Sequence, residues 1–302
     1  MDVPPSKDAK LDDLITNQWE SKSRPPVTES RYMRWIFATP WWGITLLLIM
    51  VAVARLISSD PNYRTIFGQL RKGLWLTLFI SFAAYIIALI LGLTIGVIRS
   101  TTPRPRSGLR RGFFSILHLL IYQFATFFVE VMRGLPTLIV LLIAAFVITP
   151  NFKDFMLETF NIELNFKGSS VQVAIAALSM NYAAYLSEIF RAGIQSIEKG
   201  QLEAARSLGM TSVQTMRLIV LPQATRRVIP PLGNDFIAMI KDSSLASILG
   251  IREISQQGKL WAGSTFRFEQ TYLVVAVLYL TMTVLGSIAV RYIERYLKTD
   301  DH

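Results

Sequence analysis

The chain has no cysteine and only two histidines, His118 and His302, among its 302 residues. Without thiols there is no disulfide, no thiolate nucleophile and no cysteine-ligated metal. Two histidines fall short of a histidine-built metal centre. Charge is scarce as well: Asp, Glu, Lys and Arg together make 17% of the chain, against roughly 25% in soluble domains. The one Gly-Lys pair that invites comparison with a phosphate-binding loop, in QQGKLWAG at 256–263, lacks the upstream glycine and a Ser or Thr after Lys259, so nucleotide chemistry is not expected here. A secretory signal peptide is not expected either, because a polar stretch over 1–40 precedes the first apolar run.

What the chain has in quantity is apolar sequence, 52% of its residues, with a mean hydropathy of +0.40. Several uncharged runs approach the ~20 residues that cross a bilayer. The expected fold class is all-α, a polytopic helical membrane protein. Net charge is +10, but the basic residues gather in short segments between apolar runs, so membrane topology explains them better than nucleic acid.

The clear spans are 41–57, 74–98, 171–190 and 271–292, with a weaker one over 229–250. The stretch 113–149 would make a single helix of roughly 55 Å, too long for a ~30 Å hydrocarbon core. Charge settles its reading. The segment 99–112 carries Arg99, Arg104, Arg106, Arg110 and Arg111 and no acid, and 191–228 carries six basic residues against Glu198 and Glu203. Both belong on the cytoplasmic side, so an even number of crossings separates them. We therefore expect one crossing within 113–149, with extra helix at the cytoplasmic surface. The total is about six spans, with both termini inside. Residues 58–73 are expected as an outer loop despite Arg64, Arg71 and Lys72, and 1–40 as a polar tail. The outer loop 150–170 is expected to hold a short interfacial helix with Phe152, Phe155, Met156 and Phe160 on one side.

Small residues Ala88, Gly92 and Gly96 recur every four positions in 74–98. They permit close helix approach, chiefly as packing within the subunit. Glu130 and Arg133, followed by Gly134 and Pro136, are charges inside an apolar region. They mark either the cytoplasmic foot of a span or a fixed elbow at the inner mouth of a pathway. In NDFIAMIKDSSL, Asp235 and Asp242 are two helical turns apart, and Asn234 and Lys241 repeat that spacing. With Ser243, Ser244 and, on the preceding span, Asn181, Tyr182 and Glu188, they form either a structural polar network or the lining of a solute path. Ammonium and carboxylate groups of a free amino acid would both find partners there.

The segment EAARSLGMTSVQTMRLIVLP at 203–222 is amphipathic but spans nothing. Helix formers from Gly200, with Glu203 in the first turn, end at Gly209, which suits a left-handed stop. Thr211 and Gln214 form a capping box for a second helix that Pro222 is expected to end. Its apolar face, Val213, Met216 and Val220, would lie on the inner leaflet or dock into a cytoplasmic partner.

Glu203, Ala204 and Ala205, then Gly209, then Ile219, Leu221 and Pro222, reproduce the signature loop of ATP-binding-cassette importer permeases. NYAAYLSEIFRAGIQSIEKGQLEAARSLGM, LPQATRRVIPPLGNDFI and KDSSLASILG resemble the permeases for polar amino acids. The resemblance runs from about 70 to 297 and implies a type I importer transmembrane domain. It also implies that the seven loop residues are a coupling helix held by a cytoplasmic ATPase dimer. ATP and Mg would sit on that partner, and this chain would bind no cofactor or metal. Further implied partners are a second permease subunit, identical or related, a periplasmic substrate-binding protein, an amino acid substrate and bacterial inner-membrane lipid. Transport would proceed by alternating access. Two departures stand out: the family reads R-G-T-P-L-L-V-Q, where this chain has R-G-L-P-T-L-I-V, placing Leu135 and Val140 where they bear on the pathway lining. The family core has five spans, so 41–60 reads as an addition. An importer of an opine or polyamine fits the same mechanics, and a passive channel or scaffold is the reading that dispenses with the coupling loop.

Overall fold

The computed structural model describes residues 41–103 and 109–298, all of whose regular structure is helical. The polar tail over 1–40 and the arginines 104 and 106 lie outside the described residues. The chain divides into Met1–Ala52 and Val53–His302. The described part of the first belongs to helix α1, Trp41–Ser59, on which Ile44, Leu48 and Ile49 are exposed.

Helix α2, Pro61–Ser100, starts where local chemistry dictates: the Asp60 side chain accepts from the Asn62 N–H at 2.7 Å, and Pro61 fills a first-turn position that has no donor to lose. Residues 61–73, expected as an outer loop, are therefore the opening turns of a 40-residue helix. The basic residues there ride on helix rather than on a topological loop. Ala88, Gly92 and Gly96 pack α2 against α5, Val171–Gln195. A Cβ on Gly92 would lie 2.8 Å from Leu186 Cβ, and one on Gly96 2.8 Å from both Phe190 Cβ and Ser187 O. This is packing within the subunit, and in lipid such backbone proximity replaces the hydrophobic drive that water provides.

The 113–149 stretch breaks as expected. Helix α3, Leu109–Gly134, stops at Gly134, and α4, Thr137–Phe160, resumes after Pro136. The end of α3 is pinned beside the end of α2, with Glu130 3.9 Å from Arg99. Eight residues, TTPRPRSG at 101–108, join the two helices. Phe113–Gly134 and Thr137–Phe160 are each long and apolar enough to span. Helix α4 contains a π-helical stretch at Ala144–Ile148 and continues to Asn161, a left-handed cap with φ 54°. The interfacial helix expected over 150–170 is thus the unbroken extension of α4, with Phe152, Phe155 and Phe160 exposed.

After α5 come α6, Lys199–Ser207, α7, Ser212–Thr215, and α8, Leu221–Asp242. Pro222 does not end a helix. A π-helical turn over Met216–Val220, with the Leu221 N–H reaching Met216 O, carries the chain through it. Such a turn shifts the hydrogen-bond register so that the missing proline donor is absorbed. Two further prolines, Pro230 and Pro231, sit inside α8. A 3₁₀ turn, Ser243–Leu249, and Gly250 at φ 77° end the fifth of the expected spans. Charges at Arg226, Arg227, Asp235, Lys241 and Asp242 dilute α8, which is why it is absent from the helices that qualify as spans by composition alone. Helix α9, Ile254–Thr265, then leads to α10, Phe268–Lys298.

Two buried clusters hold these helices. One gathers α2, α4, α5 and α8 around Ile80, Leu141, Leu178, Leu186 and Met239. The other gathers α2, α9 and α10 around Ile66, Leu70, Ile254 and Val274. Glu253, fully buried, organises the second cluster. Its carboxylate accepts from the Ser255 and Gln256 N–H groups at 2.9 and 2.8 Å and from the Tyr279 hydroxyl at 2.6 Å. Gly73 lets the backbone at Glu253 approach: a Cβ there would lie 2.7 Å from the carbonyl carbon of Glu253.

Candidate functional site

The elbow between α5 and α8 is built by local signals. Helix α6 begins at Lys199, so Gly200 lies inside it and Glu203 falls in its second turn, not its first. It closes as a Schellman motif: Met210 N–H donates to Ala205 O at 3.1 Å and Gly209 N–H to Arg206 O at 3.0 Å. Gly209 takes φ +73°, which a Cβ disfavours. Thr211 and Gln214 exchange the two bonds of the capping box, at 2.8 and 3.3 Å. Of the signature residues, Ala205 is buried and anchors the elbow, Ile219 is half-buried, and Glu203, Ala204, Gly209, Leu221 and Pro222 are exposed.

The apolar face is larger than the sequence suggested and partly different. Val220 is buried, whereas Leu208 is 81% exposed, Val213 75% and Leu218 63%, with Met216 and Leu221 beside them. The inner leaflet or a protein groove would each cover such an apolar face.

The polar strip resolves into parts. Asp242 accepts from the Tyr182 hydroxyl at 2.8 Å, tying α8 to α5. Asn234 and Lys241 lie exposed on α8, and Asp235 and Ser244 are half-buried. Ser243 is buried, its hydroxyl donating to Ile240 O at 2.8 Å. Asn181 is elsewhere: fully buried, it donates to Met132 O and accepts from the Thr137 hydroxyl, both at 3.0 Å, stitching α5 across the α3–α4 break.

Glu188 also leaves the strip. It pairs with Arg99, which is 8% exposed, and with Arg191 at 2.6 Å, while Arg133 stands 3.7 Å away. With Glu130 beside Arg99, the residues expected as an elbow and one expected in the pathway meet in a single ion cluster. It binds the ends of α2, α3 and α5 where α4 begins. Gly134 and Pro136 form the turn beneath it.

A cavity of about 520 Å³ opens between α3, α4 and α5. Leu135 and Val140, singled out above among the departures from the family pattern, both line it, with Met132, Ile143, Phe166 and Met180. Gln172 and Thr149 are its polar edges. Among the described residues no cluster of His, Cys, Asp and Glu could hold a metal ion.

A helical bundle of apolar helices with a capped elbow exposed between two of them has the form of a transport permease subunit. Comparison with known proteins makes this specific. Residues 112–299 match the model of the binding-protein-dependent transport system inner membrane component, and the chain belongs to that family. It is 38% identical over 229 residues to the "Probable amino-acid permease protein YxeN" of Bacillus subtilis, covering 76% of this chain and 91% of that one. It is 34% identical to the "Probable glutamine ABC transporter permease protein GlnM" of the same organism, covering 77% and 94%. A solved structure titled "Crystal structure of an amino acid ABC transporter with histidines" matches with a TM-score of 0.62 at 31% identity, covering 78% of this chain and 95% of that one. A methionine ABC transporter structure, at 20% identity and a TM-score of 0.58, shares the fold.

Proposed function

We propose that this chain is the membrane-spanning subunit of an ABC importer that carries amino acids across the bacterial inner membrane by alternating access. The observation that carries the reading is the elbow. Its caps are complete within the chain, yet Leu208, Val213 and Leu218 remain uncovered. A groove on a cytoplasmic ATPase dimer supplies the missing cover, with Glu203, Ala204, Ala205, Gly209, Ile219, Leu221 and Pro222 as the coupling residues. The elbow leads without interruption through the π turn into α8, so force applied there reaches Asn234, Asp235, Lys241 and Asp242 along one rod. These residues, with Ser243 and Ser244, line the path in this reading. Leu135 and Val140 border it through the neighbouring cavity.

ATP and Mg are held by the ATPase partner. A second permease subunit completes the path and a substrate-binding protein delivers cargo from outside. The names of the relatives support amino acids as that cargo. The elbow faces the cytoplasm with both chain termini. Residues 70–297 form the permease core, 41–60 an additional span and 1–40 a cytoplasmic tail.

Reconstitution with the ATPase and binding protein tests the proposal. Amino acid uptake that depends on both partners, and that is lost on deletion of 203–222, is expected. Uptake that survives the deletion rules out the coupling role, and conductance without an ATPase would favour a channel.

A further inference from the structure

We propose that the end of the molecule opposite the elbow is a docking face for a soluble protein that bears clustered carboxylates. In the transport reading, on which the partner's role rests, this is the outer face and the partner is the protein that delivers cargo. The elbow end of α2 is marked by Arg99, paired with Glu188. Gly73 lies roughly 39 Å of helix away, more than the ~30 Å hydrocarbon core. Exposed large apolar side chains on α2 begin at Trp75 and continue to Val97, and none is exposed over 61–74. Tryptophan favours the membrane–water boundary, so the opening turns of α2 stand clear of lipid. Helix α9 packs back along those turns. The backbone at Glu253 meets Gly73, Leu70 Cδ2 would lie 3.7 Å from a Cβ on Gly258, and Arg267, just past α9, donates to Asn62 Oδ1.

This projection is basic. Arg64, Arg71 and Lys72 on α2, Arg252 just before α9, Lys259 on it and Arg267 just after are all exposed. Topology normally gathers such charge on the cytoplasmic side. Over 60–73 and 250–270 Glu269 is the one exposed acid, since Glu253 is buried and Asp60 caps α2. Arg64 and Arg267 donate to the neutral oxygens of Ser58 and Asn62, and Lys72 to Gln69 at 2.9 Å. Arg71, Arg252 and Lys259 have no partner among the described residues. Arg71 and Lys72 adjoin Leu70 and Gly73, while Arg252 and Lys259 adjoin Glu253 and Gly258, so these four cations surround one helix–helix contact. Like charges gathered this way repel, and an anionic surface relieves them. A second copy of the chain would bring the same sign. A lipid phosphate reaches only the cations nearest Trp75: Arg64 stands roughly 16 Å of helix farther out, past a headgroup layer of about 5–8 Å. At the tip, Phe266 is 82% exposed and held in the left-handed region at φ 57°. Strain of this kind is kept where a side chain has a use, and aromatic and arginine side chains are the common anchors of protein interfaces.

The test uses the assembled transporter in phosphatidylcholine vesicles, with the substrate-binding protein that supports its uptake as the probe. Uptake is followed against the concentration of that protein at low and at physiological salt. Half-saturation should rise with salt. Arg71→Glu with Lys259→Glu should raise it about tenfold, and saturating partner should recover the maximal rate. Lysine in place of the partner's clustered carboxylates should restore half-saturation in that variant and weaken it in the unaltered protein. Phe266→Gly relieves the backbone but removes the ring, so it too should raise half-saturation. Partner-dependent uptake whose half-saturation ignores the double reversal overturns the docking face alone. A shift that appears only when the vesicles contain phosphatidylglycerol also overturns it and assigns the cations to lipid. If the unaltered protein shows no uptake that depends on the partner, the transport reading falls and the docking face falls with it.

Discussion

Replacing Glu188 with alanine removes the acid to which Arg99 is bound most closely. Arg99 is 8% exposed and Glu188 19%. The remaining acid near Arg99, Glu130, is 68% exposed and 3.9 Å away, so it offers little compensation. Arg133 and Arg191, at 43% and 35%, recover solvation more readily. The cost therefore concentrates on one stranded buried guanidinium. Breaking a buried pair from one side costs about 3–5 kcal/mol, or roughly two to four powers of ten in the folded-to-unfolded ratio. Equilibrium unfolding of the purified complex in mixed micelles would measure it. Combining Glu188→Leu with Arg99→Met removes both charges and should recover most of the loss, since an apolar pair of similar size is near neutral at such a site. If Glu188→Ala costs less than ~1 kcal/mol, or if the double variant is worse than either single one, the cluster is not a closed buried unit and this reasoning fails.

Gly209→Val should cost about 1–3 kcal/mol of local strain at φ +73°, and no clash adds to it because nothing lies within 4 Å of the position. Membrane insertion should be normal and transport-linked ATPase activity reduced, and unchanged coupling would count against the left-handed stop. Asp242→Asn keeps an acceptor for Tyr182, so the complex should assemble while the uptake KM rises about tenfold through loss of the charge. Unaltered kinetics would remove Asp242 from the pathway. Glu253→Ala strands the Ser255 and Gln256 N–H groups and the Tyr279 hydroxyl. Each buried orphan costs about 1–3 kcal/mol, so the protein should unfold at clearly lower denaturant, with Glu253→Gln partly restoring it.

The elbow was the most legible part of the chain because its signals are local. Gly209, Thr211 and Gln214 specify their turns within a few residues of themselves. The break at Gly134–Pro136 was legible for a local reason as well: Pro136 removes a backbone donor and favours a break there. Pro222 misled because its penalty depends on the hydrogen-bond register before it, and the π turn at 216–220 alters that register. Residues 61–73 misled because Arg64, Arg71 and Lys72 look like a loop until Asp60 and Pro61 are read as a helix start. Glu253 went unnoticed, since an acid beside Arg252 resembles a solvated connection. Only the approach of Gly73 and Tyr279, far away in sequence, makes it a buried cap. Glu188 meets Arg99 across 89 positions, a pairing no periodicity announces.

The absence of cysteine makes the decisive measurement clean, because Leu208→Cys introduces the chain's first thiol. In inside-out vesicles carrying the assembled transporter, a short bifunctional thiol reagent should join this position to a cysteine in the groove of the ATPase. The yield should change when ATP is bound. A thiol at 208 that reacts only from the opposite side of the membrane, or one that never meets the ATPase, would contradict the account.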